Sequence, residues 1–190
     1  GADSEVVVYD EVSTKDAARI WWILRYWGVS DVRLLNGGWK AWKMEGLPTN
    51  AEVSSPPNAV HFKATPRNKR LLTKDQVLRS LAEHGLQIVD VRSHDEFCGI
   101  ELKQNKRGGA IPGATHLEWS VLIDPATDRF KSPEALRRLF DRAGIDLDKP
   151  TASHCQSGGR ASVMVFALEL MGAKDARNYY PGWSEWGNSD

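Results

Sequence analysis

Two cysteines among 190 residues are too few for a disulfide framework, and neither has a CxxC or Cys/His spacing that would hold zinc. A free thiol persists in a reducing compartment, so the expected location is the cytoplasm. Net charge is also missing: 25 Lys and Arg offset 25 Asp and Glu, with a pI near 7.1. No global field would draw nucleic acid or an anionic membrane to the chain. No apolar run reaches membrane-spanning length, and the opening GADSEVVVYD carries no signal-peptide pattern. What is abundant is tryptophan: five of the eight, Trp21, Trp22, Trp27, Trp39 and Trp42, crowd the beginning of the chain.

A repeat sets the organisation. The stretch AARIWWILRYWGVSDVRLLNGGWKAW (17–42) overlays ASVMVFALELMGAKDARNYYPGWSEW (161–186) without a gap at a shift of 144 residues. Ala17, Leu24, Gly28, Asp31, Arg33, Gly38, Trp39 and Trp42 meet identical residues. The shared unit reads as helix, glycine stop, short strand and GWxxW turn. The second copy follows a full series of alternating elements from about Leu71, whereas only the strand Val6–Asp10 precedes the first. A buried parallel strand needs neighbours on both sides. The expected organisation is therefore the tail of a first domain (1–47), a linker rich in proline and small polar residues (48–70) and a complete second domain (71–190). Trp21, Trp22 and Trp27 then lie on a helix whose sheet is missing. That apolar patch calls for a complementary fragment or, in a homo-oligomer, a second copy to cover it.

Within the second domain, Thr73 and Gln76 make a capping box for a helix through Glu83. Leu86–Val91 and Thr115–Trp119 read as strands, and Ser132-Pro133 starts a helix that ends near Gly144. Pro150–His154 is a strand, and Arg160–Met171 a helix apolar almost all round and hence buried. The alternation predicts an α/β fold, a parallel sheet flanked by helices on both faces. Ligands of such sheets sit beyond the carboxyl ends of the strands, and Cys155 falls at one of these ends.

The loop HCQSGGRAS has the parts of an anion nest. Gly158 and Gly159 permit backbone angles closed to other residues, so N–H groups can turn inward at the start of a helix. A thiol at the centre of such a nest is favoured as thiolate, the nucleophilic form. Arg160 falls in the helix's first turn, where the dipole disfavours a cation, so an anionic substrate or a structural carboxylate should compensate it. Arg92, near Asp90, Asp95 and Glu96, is either an ion-pair partner or a substrate contact. Cys98 reads as a half-buried thiol or a resolving thiol for Cys155. His154 is expected to point away from the nucleophile.

The segments IVDVRSHDEFCG, GGAIPGATHLEW, CQSGGR and YYPGWSEWG resemble, in order and across essentially the whole chain, the motifs of tandem-rhodanese sulfurtransferases of the thiosulfate or 3-mercaptopyruvate type. The resemblance implies a rhodanese fold plus the tail of a second such domain. It implies a Cys155 persulfide that takes sulfur from a small anionic donor and passes it to a thiol or cyanide, with no metal or organic cofactor. Gln156, Ser157, Gly158, Gly159, Arg160 and Arg92 would bind substrate. In the family the first domain is inactive, which agrees with the ungapped shift that sets Glu11 opposite Cys155. The loop matches neither the CRKG nor the CGSG form of the family. Ser157 fits the mercaptopyruvate type, in which the serine is proposed to take part in proton transfer. A second family arginine falls at Cys98, where Arg107 or Lys106 could substitute, and the histidine of the GHIPGA turn is Ala110. The rival readings are a cysteine phosphatase or arsenate reductase and a non-catalytic rhodanese binding module. Phosphatases space cysteine and arginine as HCx5R, and this loop is HCx4R, a tighter ring.

Overall fold

The structure is a computed structural model that describes residues 1–53, 55, 59–83 and 85–189; residues 54 and 56–58 of the expected linker lie outside them. The first segment holds β1 (Glu5–Val8), α1 (Lys15–Tyr26), β2 (Asp31–Leu34) and α2 (Gly38–Met44). Then come α3 (Lys74–Glu83), β3 (Gln87–Asp90), α4 (His94–Phe97), β4 (Thr115–His116), α5 (Pro133–Ala143), β5 (Thr151–His154), α6 (Gly159–Leu170), β6 (Ala176–Asn178) and α7 (Trp183–Trp186). β1 and β2 pair in parallel, and a second parallel sheet runs β4-β3-β5-β6. Among the described residues no helix is long and apolar enough to cross a membrane.

Local sequence explains the elements that carry the site. The Thr73 N–H donates to Gln76 Oε1 (2.9 Å) and the Gln76 N–H to Thr73 Oγ1 (3.3 Å), which fixes the start of α3. Ser132 caps α5, and Gly144 ends it in the left-handed region. Successive strand residues face opposite sides. Val89 therefore enters a core with α5 and α6, while Ile88 enters another with Val77 of α3 and Trp183. The strand expected at Thr115–Trp119 stops at His116, and the chain curls into a 3-10 turn at Trp119–Leu122. That turn carries Leu122 into the interior, where it is fully buried.

α6 is buried along most of its length, with Leu170 exposed at its end, because it is covered twice, by β5 and β6 on one side and by α1 on the other. This corrects the expectation of an uncovered tryptophan face. Trp21 meets Phe166 edge-on at 4.9 Å and donates its indole N–H to Val32 O (3.0 Å). Trp22 stacks between Tyr26 and Tyr180. Both indoles are 3% exposed, and only Trp27, at 42%, faces outward. The expectation failed because it gave α1 only a sheet to pack on, whereas Phe166 and Tyr180 of the second segment supply the cover.

Truncating a buried aromatic costs about 3–5 kcal/mol, and a surface change far less. Trp22→Ala is therefore expected to lower unfolding free energy by about that amount and Trp27→Ala by under about 1 kcal/mol. Urea denaturation followed by circular dichroism checks this, and equal losses would contradict the assigned packing.

Candidate active site

β5 delivers Cys155 to the carboxyl end of the sheet, between β3 and β6, and α6 begins four residues later. The cysteine is only 2% exposed. Gly158 adopts φ +80°, which a side chain would strain, and an added Cβ there would strike the Tyr180 ring. Gly159 is a correction: its backbone is ordinary and helical. What it supplies is space, since a Cβ would stand 2.7 Å from Arg19 Nη2.

Every carbonyl of the loop is held from outside. Cys155 O accepts from Trp183 N (2.8 Å) and Gln156 O from Ser184 N (3.0 Å). Ser157 O accepts from Arg19 Nη2 (3.0 Å). Gly158 O accepts from Ser162 N (3.0 Å), Ser162 Oγ (2.8 Å) and Asn178 Nδ2 (3.1 Å). A trans peptide sets each N–H opposite the preceding C=O. The N–H groups of Gln156, Ser157, Gly158 and Gly159 therefore turn to the other side. Together with the Arg160 and Ala161 N–H groups at the start of α6, none donates to an oxygen of the described residues. Six unengaged donors in sequence, with the positive end of a 12-residue helix, form a site for negative charge.

The first segment holds the same device already filled. Val6 pairs with Val32 in one sheet and Thr151 with Ala176 in the other, and Trp39 N donates to Asp10 O as Trp183 N does to Cys155 O. Strand and turn thus set Asp10, not Glu11, opposite Cys155, because the first loop is one residue longer than the ungapped overlay allowed. The Asp10 carboxylate accepts from the N–H groups of Thr14 (3.1 Å), Asp16 (3.1 Å) and Ala17 (2.9 Å). At the shift of 144 these correspond to Gly158, Arg160 and Ala161. One nest holds a permanent carboxylate, and the other holds a thiol.

Two cations near the loop, Arg160 and Arg92, are paired with carboxylates. Arg160 forms a two-pronged pair with Glu96, 2.5 and 2.9 Å, so a structural carboxylate compensates it. Burial alone would raise the Glu96 pKa, but Arg160 and Ser93 hold it down at about 2. Burial likewise works against charged Arg160, yet Glu96 and the adjoining Cys155 raise its pKa. Ser93 caps α4 and accepts from Glu96 N while Glu96 Oε2 accepts from Ser93 N, so the cap aims this carboxylate. Arg92 is corrected from substrate contact to interior ion pair. It is 1% exposed, binds Asp90 (2.6 Å) and Gly109 O (2.6 Å), and lies on the Trp183 ring. His154 is fully buried 3.4 Å from Asp90, and burial lowers its pKa, so the ring stays neutral.

The remaining candidates are placed as follows. The Gln156 side chain exchanges hydrogen bonds with Asn105 (3.0 and 3.2 Å), so it forms a wall of the site. Ser157 is exposed at the rim. Arg107 donates to Trp186 O and Ser189 O, which corrects its suggested role as a substitute carboxylate grip. Lys106 donates its backbone N–H to Asn188. Cys98 is exposed rather than half-buried, with Sγ 3.5 Å from His94 Nε2. A cavity of about 790 Å³ opens at the other end of β6, lined by Arg25, Arg70, Glu169 and Arg177, and does not reach the loop. Sequence reading named Glu96 only beside Arg92 and missed it as the partner of Arg160, although Ser93-x-x-Glu96 is a legible cap, and it missed Arg19, which nothing local marks.

Comparison with known proteins agrees with this architecture. Thiosulfate sulfurtransferase of Gallus gallus is 38% identical over 186 residues, covering 97% of this chain and 64% of that protein. A putative thiosulfate sulfurtransferase of Haloferax volcanii is 38% identical over 194 residues, covering 98% and 67%. The chain thus spans about two thirds of the length of these relatives, and slightly less for the avian protein. Among solved structures, the 3-mercaptopyruvate sulfotransferase SseA of Escherichia coli matches with TM-score 0.82 at 30% identity, covering 97% of this chain and 69% of that one. EanB carrying a cysteine persulfide, in a tetrahedral intermediate state with ergothioneine, matches with TM-score 0.86 at 27% identity, covering 97% and 49%. The family profile of the rhodanese-like domain spans residues 1–45 and 73–189, and with the fold and the cysteine loop it establishes that the chain belongs to the rhodanese-like domain family.

Proposed function

We propose that the protein is a sulfurtransferase carrying sulfane sulfur on Cys155. The observation that carries this reading is the ring of six unengaged N–H groups after Cys155. Such a ring favours the thiolate and then the charged terminal sulfur of a persulfide. With thiosulfate, the Cys155 thiolate attacks the outer sulfur, the S–S bond to the sulfonate breaks, and sulfite leaves with the bonding pair. A thiolate or cyanide then attacks the terminal sulfur and releases Cys155 as thiolate. With 3-mercaptopyruvate, the C–S bond breaks instead, the electron pair stays on carbon as an enolate, and pyruvate forms once that carbon takes a proton. The relatives' names support a donor of this class, and the persulfide in EanB supports the intermediate.

In this reading Ser157, Gly158, Gly159, Arg160 and Ala161 offer backbone N–H groups, and Gln156 adds one beside the wall it makes with Asn105. Arg160 contributes through its position, since Glu96 already balances its charge. Residues 1–47 are the tail of an inactive domain, 71–190 the catalytic one, and the two form a tandem pair. A reducing compartment, the cytoplasm, suits a thiol nucleophile. The exposed side chains Val7, Tyr9 and Val12 beside β1 are where a complementary fragment would rest. Sedimentation with and without that fragment tests this; a second copy in its place, or no association, would refute it.

Incubation with thiosulfate is expected to add one sulfur atom to the intact mass, removable by cyanide and lost in Cys155→Ser. A wild-type chain that gains no sulfur, or that instead turns over p-nitrophenyl phosphate, would sink the proposal. Comparison of kcat/KM for thiosulfate and 3-mercaptopyruvate then decides the donor.

The Arg160–Glu96 pair carries a pH signature. The folded pKa of Glu96, about 2, lies below the ordinary carboxylate value of 4.5, so the stabilisation is complete above pH 4.5 and lost as pH falls toward 2. The shift corresponds to about 3 kcal/mol. Glu96→Gln is expected to cost about 3–5 kcal/mol at neutral pH, because Arg160 is left without its partner. It should also flatten the stability profile between those two pH values, as read by denaturant titration. A wild-type-like acid limb in the variant would refute this assignment.

A further inference from the structure

Arg19 lies on α1, outside the second sheet and far from Cys155 in sequence, yet its guanidinium reaches the cysteine loop. Nη2 donates to Ser157 O at 3.0 Å and approaches Ser157 Oγ at 3.4 Å. The group stands against Gly159, within 3 Å of where a Cβ would lie, and 5.9 Å over the Tyr180 ring. No carboxylate of the described residues pairs with it, and its buried Nε–H has no acceptor among them. The other loop carbonyls are held by the second segment: Cys155 O and Gln156 O by the start of α7, and Gly158 O by Ser162 and Asn178. Only the Ser157 carbonyl depends on the first segment.

We infer that Arg19 is a positioning residue for the nucleophile: by holding the Ser157 carbonyl outward it aims the Gly158 N–H at Cys155. The aim follows from peptide planarity, since the Gly158 N–H must lie opposite the Ser157 C=O. In the first segment the corresponding donor, Thr14 N, is the one that meets Asp10 Oδ1, so a residue at this place in the loop does reach the anion. A charged donor also makes the stronger kind of hydrogen bond to a carbonyl. It withdraws electron density from that peptide, and its unbalanced charge adds to the field of the nest. The residue gives the first segment a function in a site to which it contributes no nucleophile. The inference rests on Cys155 acting as a thiolate in this nest, and it deepens the proposed function.

The test is the pH dependence of Cys155 alkylation by iodoacetamide, followed by peptide mass in a Cys98→Ser background. This readout needs no sulfur donor. Arg19→Ala is expected to move the alkylation midpoint up by about one pH unit, equivalent to a tenfold loss of thiolate at a given pH below it. Arg19→Lys, which can still donate to the carbonyl, should restore at least half of the shift. Ile20→Ala, at an exposed position of the same helix, should leave the midpoint in place. A midpoint unmoved in Arg19→Ala overturns the inference, as does an Ile20→Ala variant that reproduces the Arg19→Ala shift, because a general disturbance of α1 would then be the link. A general loss of stability does not shift the midpoint of a chain that remains folded, which circular dichroism at each pH verifies. If thiosulfate adds no sulfur to the wild type while the midpoint still shifts, sulfur transfer falls and the role of Arg19 stands.

Discussion

The cysteine loop is shaped by hydrogen bonds on its outer side. Four successive carbonyls, from Cys155 to Gly158, are drawn outward by Trp183 N, Ser184 N, Arg19 and the Ser162–Asn178 pair. Peptide planarity converts each of those bonds into an N–H aimed inward. The reactive geometry is therefore a consequence of satisfied acceptors. Gly182 belongs to this arrangement: it has φ +59°, and a Cβ there would strike Cys155 O, so the GWxxW turn must begin with glycine to approach the loop. Gly38 stands in the same relation to Asp10 O, with φ +55°.

That shared architecture makes the first segment informative about the second. Asp10 places a carboxylate on the backbone donors of Thr14, Asp16 and Ala17. The corresponding donors around Cys155 meet a group that acquires charge only by ionising. Under the proposed function, donors that at Asp10 hold a turn would at Cys155 face the nucleophile. The packing of α1 on α6 through Trp21, Trp22, Phe166 and Tyr180 keeps the two devices side by side. Tyr180 serves both ends, stacking on Trp22 and occupying the space that a side chain at position 158 would need.

Much of this was legible in the chain. The capping box at Thr73, the Ser132–Gly144 helix and the apolar run of α6 are local patterns, and local energetics decide them. The strand end, the glycines and the helix behind Cys155 marked the nest before any coordinates. What escaped was long-range. The cover for Trp21 and Trp22 comes from residues well over a hundred positions away, and hydropathy along a helix cannot say which surface will meet it. Arg92 read equally as an ion-pair partner or a substrate contact, and its burial against Trp183, which decides between them, depends on where β3 and α7 meet. The one-residue difference between the two loops was hidden because the overlay began after it, at Ala17. Strand register, Val6 with Val32 and Thr151 with Ala176, and the turn bonds from Trp39 N to Asp10 O and from Trp183 N to Cys155 O reveal it.

The charge arrangement has a further physical consequence. Arg92 is matched by Asp90 and Arg160 by Glu96, each in a buried or nearly buried pair. Beneath the loop Asp90 and Glu96 offset Arg92 and Arg160, and the proposed bias toward an anion at Cys155 combines fixed peptide dipoles with Arg160, whose guanidinium adjoins the sulfur, and Arg19, which no carboxylate of the described residues matches. Dipoles held by hydrogen bonds need no reorganisation when charge appears on sulfur, the condition under which electrostatic stabilisation is most effective. They are also short-ranged and enclosed, so dissolved salt screens them far less than it would a cluster of surface lysines. A site of this kind selects for a small, compact anion able to enter the ring of N–H groups, and it gives little to a large polyanion held at the surface. The size of the charge matters less than its fit at the end of β5, and the depth of Cys155 in that ring sets the limit on what can reach it.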